Sequence, residues 1–190
     1  MMRAMIAFAF LGTLLVAYAP ARPPEGEKSH GSVLELLGQS KLTLADGIRQ
    51  AAKSPGAAIS AKFELDHSGE LSLSVYTAAM GLAAGAEQNV LKELSGSPES
   101  APWKPKTEVF EDVPHVSRAA QQLTLMTLSP FSLLDILERA QKKHPGAIYS
   151  ITPVLRGRKA LFVVLVSSEG KSVELDFDLT TGEAVGPPGR

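Results

Sequence analysis

Two stretches of this chain carry the same signals in the same order. Leu42–Tyr76 and Phe131–Val166 each open on a hydroxyl residue with an acid three positions later, Thr43 with Asp46 and Ser132 with Asp135. Each continues as an amphipathic run, halts at a Pro-Gly pair (Pro55-Gly56, Pro145-Gly146) and goes on as strand-like sequence. The offset is 89 residues at the helix starts and 90 at the Pro-Gly pairs. A repeated order of helix start, helix stop and hairpin implies a duplicated structural unit. Leu42–Gly96 and Phe131–Val185 each span 55 residues. Units that small bury only about 60% of their unfolded surface, so the two are expected to pack together.

The local patterns give each unit its elements. In Leu42–Lys53, Leu44, Ile48, Ala51 and Ala52 fall on one helical face. Thr43 can accept from first-turn N–H groups, and Asp46 can answer it and complement the helix dipole. Ala57–Leu65 alternates apolar and polar, turns at Asp66-His67-Ser68-Gly69, and alternates again from Leu71 to Tyr76. This predicts an antiparallel hairpin with one wet face. Asn89–Leu94 reads as a third strand or a short helix. Ser95–Pro105 holds three prolines and three serines and reads as extended linker. Thr107–Phe110 suits a short strand. Glu111–Leu128 is a connecting helix with Asp112 as its cap and an apolar stripe of Val116, Ala119, Ala120, Leu123 and Met126. Leu133–Lys143 is the second repeat helix, with Leu133, Leu134, Leu137 and Ala140 toward the core. Ala147–Leu155 is strand-like, but Pro153 cannot donate to a ladder and marks an edge or a bulge. Lys159–Val166 has the continuous apolar character of a strand buried on both faces. The expected fold is therefore α+β: two units, each a helix on its own small antiparallel sheet, joined by an additional amphipathic helix.

The N-terminus reads as a secretory signal. Arg3 precedes the apolar run Ala4–Val16, and small residues follow at Ala17, Ala19 and Ala21. Residues 1–21 are expected to be removed, with cleavage after Ala21 preferred because Ala19 is followed by Pro20. Residues 22–41 then read as a tether, 42–96 as the first unit, 97–130 as linker and connecting helix, and 131–190 as the second unit. Without Arg3 the 19 basic residues fall to 18, against 20 acidic. No basic stripe suits nucleic acid, and no polybasic cluster suits an anionic membrane. The chain contains no cysteine, which excludes disulfides, a thiolate nucleophile and a lipidated cysteine anchor. An exported product without cysteine points to a bacterial periplasm or to secretion from a bacterial cell.

These residues resemble the PepSY domain family. Its pattern is an exported unit of one capped helix and antiparallel strands, closed by an aspartate, two residues, then Thr-Gly. Here that motif is Asp178-Leu179-Thr180-Thr181-Gly182. The second unit matches from Phe131 to Val185. The first matches from Leu42 to Tyr76 and lacks the closing motif, which leaves its third strand open. The resemblance implies a peptidase-inhibiting or peptidase-regulating role, and it carries over no catalytic residue.

The candidate chemical groups point the same way. His30, His67, His115 and His144 show no metal-ligand spacing. Asp66, His67 and Ser68 have the residue types of a hydrolase triad, but as neighbours they form a turn rather than aim at one another. Glu174, Asp176 and Asp178 share a strand face, read as solvated, with Asp178 ordering the following turn. The lone Trp103, flanked by Lys104 and Lys106, is either an aromatic anchor for a partner or a pin holding the linker on the core. The expected function is a non-enzymatic exported binding module with a peptidase or an extended peptide as partner, and with no cofactor. The alternatives are a metal-dependent hydrolase using Glu174, Asp176 or a histidine, and a structural envelope component.

Overall fold

The computed structural model of the chain describes residues 33–53 and 56–186. The expected leader, most of the expected tether, His30 and Pro55 lie outside them. Three α-helices and eight strands carry the described fold: α1 (Leu44–Ala51), β1 (Ala57–Leu65), β2 (Leu71–Ala78), β3 (Leu91–Gly96), β4 (Lys106–Val109), α2 (Val113–Leu128), α3 (Leu133–Lys143), β5 (Ala147–Arg156), β6 (Lys159–Ser168), β7 (Lys171–Asp178) and β8 (Ala184–Val185). Residues 33–36 form a further helical turn, with Val33 buried. Packed structure therefore begins inside the stretch expected to be tether.

All eight strands form one antiparallel sheet in the order β4-β3-β2-β1-β5-β6-β7-β8. This corrects the expectation of two helix-on-small-sheet units. The first half contributes β4 to β1 and the second β5 to β8, and they meet where β1 pairs with β5. Joining the innermost strands covers two edges that separate sheets would have left open.

Both helix starts are as the sequence predicts. The Asp46 N–H donates to the Thr43 hydroxyl at 3.1 Å, and the Thr43 N–H donates to the Asp46 carboxylate at 3.0 Å. The equivalent distances at Ser132 and Asp135 are 3.3 and 2.8 Å. The closing turn also forms. Asp178 Oδ1 accepts from the N–H groups of Thr180 and Thr181 at 2.9 and 3.0 Å, and Gly182 takes φ 63°. That angle suits glycine because a Cβ would crowd the backbone there.

The helices lie on both faces of the sheet. α1 and α3 sit side by side on one face, where α1 packs on β1 and β2 and α3 on β5, β1 and β6. Gly47 lets α1 approach closely, since a Cβ there would stand 2.5 Å from Leu73 Cδ2. α2 crosses the opposite face against β1, β3 and β5, and so spans the junction. Its buried side chains are Ala119, Gln122, Leu123, Leu125 and Met126, whereas Val116 remains exposed. Gln122 is buried because Ser60 of β1 donates its hydroxyl to Gln122 Oε1 at 2.8 Å.

This second layer also corrects the wet face expected for the first hairpin. β2 is buried along its whole length, including Ser72 and Ser74. The first half gains its third strand, β3, and the short strand expected at Thr107–Phe110 forms as β4 and pairs with it. Pro153 lies within β5, an inner strand and not an edge.

Candidate functional site

The sites proposed from sequence separate in the structure. Trp103 is 5% exposed: its backbone N–H donates to Gln50 Oε1 of α1 at 3.2 Å, while Nε1 donates to the Gly96 carbonyl at 3.4 Å. The indole therefore pins the loop after β3 to α1. Lys104 and Lys106 remain exposed on either side of Pro105. A partner meeting this loop would touch the lysines and not the ring.

The histidines do not converge. His67 occupies the β1–β2 turn. There Asp66 Oδ1 accepts from the N–H and hydroxyl of Ser68 at 2.9 and 2.7 Å, which makes a turn and not a triad. His115 lies at the start of α2, 2.6 Å from Asp112 Oδ2 and stacked on Phe110. His144 ends α3. Among the described residues no group of three or more His, Asp or Glu is placed to hold a metal ion.

The acidic face of β7 is not uniformly solvated. Glu174 is exposed, but Asp176 is only 9% exposed, and its Oδ1 is buried without a hydrogen-bond partner. Arg156 Nη1 lies 2.9 Å from both Glu174 Oε1 and Asp176 Oδ2. The cluster is an arginine bridging two carboxylates. Asp178 orders the turn, as expected.

What the sequence did not announce is a cleft of about 820 Å³ between α1 and α3. Its walls come from the first turns of α1 and one side of α3, and its floor from the ends of β1 and β5. Leu42, Leu44, Phe63 and Leu137 form its buried apolar base, with Leu134 and Ile148 half-buried above them. Apolar surface on a half-open concavity of this size is characteristic of ligand pockets.

The polar groups around the cleft are largely engaged with one another. Thr43 gives its hydroxyl to Asp46 Oδ2 at 2.6 Å, and Ser40 gives its hydroxyl to the Leu42 carbonyl at 2.6 Å. Arg49 reaches Asp46 Oδ1 at 3.2 Å. The cap hydroxyls of Thr43 and Ser132 hold the Asp46 and Asp135 carboxyls below their usual pKa. These acids are therefore ionised helix caps, and no described nucleophile–base pair lines the cleft. The arrangement suits non-covalent capture of an apolar group, with desolvation of the half-exposed Leu134 and Ile148 as the driving force.

No family model matches the chain. No curated protein matches it either. Among solved structures the chain is similar to a candidate lipoprotein from Clostridium difficile 630, at 12% identity and a TM-score of 0.38, over 75% of this chain and 88% of that one. That similarity is too low to transfer a fold or an activity. The PepSY likeness thus rests on the residues quoted above. No helix of the described residues is long and apolar enough to cross a membrane.

Proposed function

We propose that the chain is an exported, non-enzymatic binding module whose α1–α3 cleft receives an apolar side chain of a peptide or peptidase partner. The observation that carries this reading is the cleft: a concave apolar surface whose neighbouring polar groups are tied into helix caps. The leader-like residues 1–21 support export, and the PepSY resemblance supports a peptidase as the partner class. Peptidase regulation would follow if the partner's own chain were held in the cleft.

The test is a backbone-amide NMR titration with short apolar peptides, alongside an inhibition assay on a peptidase panel. Shifts should centre on Phe63, Leu134 and Ile148. Leu134→Lys, at a half-buried position, should weaken binding roughly ten-fold, equivalent to about 1.4 kcal/mol. Shifts confined to the Lys104–Lys106 loop would overturn the assignment of the cleft, and turnover of a peptide would overturn the non-enzymatic reading.

A further inference from the structure

The junction between the two halves is thinly paired for strands of its length. β1 has nine residues and β5 ten, yet they pair only at Ala61 with Ile151 and Lys62 with Ser150. The causes are local. A register shift interrupts β1 between Ala58 and Ser60, and another interrupts β5 between Ile148 and Ser150. Bulges of this kind bend a strand away from its neighbour. On one side of the two pairs stands Pro153, which has no N–H to give a ladder. On the other side the pairing stops, and Phe63, Ala147 and Ile148 line the cleft there.

The floor of the cleft is consequently more than an apolar surface. Ala147 and Ile148 pair with Ser167 and Val166 of β6 on one side. On their β1-facing side the ladder has stopped, and Ala147 and Ile148 have no paired residue in β1. Across the gap stands Phe63, whose own pairing is with Leu73 of β2. The small residues Ala45 and Ala147 line this part of the cleft, and Gly146 packs tightly against Ser167 and Val166 of β6. An unpaired strand edge is a template for another strand. Here it lies beside the apolar side chains that would receive alternate residues of that strand.

We propose that the occupant of the cleft is an extended peptide segment that adds to β5 along Gly146–Ile148 and seats an apolar side chain on Phe63, Leu137 and Ile148. This rests on the reading of the cleft as the binding site and names the class and conformation of its ligand. Three residues of extended chain cover about 10 Å. Main-chain pairing would provide affinity with little regard to sequence, and the apolar base would select one side chain.

Two probes test this on the purified chain. One is an acetylated, amidated hexapeptide of alternating valine and threonine bearing a fluorophore. The other is a decyl chain with the same fluorophore. The peptide is also made with alternate amides N-methylated in either phase. Binding of the parent peptide should slow amide exchange at Ala147 or Ile148. Methylation in one phase should weaken it by roughly three- to ten-fold per lost hydrogen bond, while methylation in the other leaves it unchanged. If both methylated series bind like the parent, or if the decyl chain binds the cleft and the peptide does not, strand addition is wrong although the cleft remains a binding site. If neither probe perturbs Phe63 and Leu134, the cleft reading itself fails, and the proposal with it.

Discussion

Asp176 is buried on a strand face with one carboxylate oxygen unpaired, and its titration follows from that placement. Burial raises its pKa, while the Arg156 guanidinium beside it pulls the other way. The guanidinium itself is stabilised, chiefly by its hydrogen bond to Glu174. The pairing thus favours the arginine more than the aspartate. A carboxyl with a raised folded pKa keeps its proton longer in the folded state than in the unfolded one. Its contribution to stability is full below the ordinary value of 3.8 and is lost as the pH rises through the raised value. Asp176→Asn should therefore gain stability relative to the native chain as the pH rises through that window. Urea midpoints of the two chains across mildly acid pH check it; a constant difference would contradict it. Asp46 and Asp135 behave in the opposite sense. Hydrogen bonds from Thr43 and Ser132 depress their pKa values, so their contribution is present above 3.8 and lost as the pH falls through the depressed values. Thr43→Ala and Ser132→Ala should each cost about 0.5–2 kcal/mol in denaturant unfolding. No loss at either site would mean that the caps do not hold these helices.

At the scale of elements, α2 spans the two halves, packing on β1, β3 and β5. Leu123 is 1% exposed on the side of α2 that meets β1, β3 and β5. Leu123→Asp should cost about 3–5 kcal/mol, the range for a buried charge without a partner. It should also lower hydrogen-exchange protection in β2 and β6 together. Loss in one strand only would show that α2 serves one half. The helices were legible in the sequence because capping pairs three residues apart and apolar spacing are local signals. The burial of their surfaces was less legible. Val116 fits the apolar stripe but stays exposed, whereas Gln122 is buried through its bond to Ser60. A polar pair separated by 62 residues leaves no local signature. Ser72 and Ser74 read as a solvated face because alternation reports polarity and cannot report that the folded sheet buries that face. Trp103 was legible as an anchor of some kind, but its inward direction depends on Gln50 in another element.

At the scale of the whole molecule, the sequence carried the order of elements but not the sheet that unites them. The β1–β5 junction depends on two residue pairs, Ala61 with Ile151 and Lys62 with Ser150. Their sequence separation hides them from any periodicity. The cleft was hidden for the same reason, since Leu44, Phe63, Leu134 and Ile148 come from four elements that meet only once this junction forms. Without this junction there is neither a single sheet nor a cleft between α1 and α3. Directly opposed residues of antiparallel strands have Cα atoms about 4.5–5.5 Å apart, which suits a disulfide. The chain contains no cysteine, so an introduced pair has no competitor. The decisive measurement is oxidation of the double variant Lys62→Cys with Ser150→Cys at low protein concentration, read by mass and by mobility under denaturing conditions. Near-complete intramolecular cross-linking with native circular dichroism is the expected result. Thiols that stay free, or that link only between molecules, would contradict it.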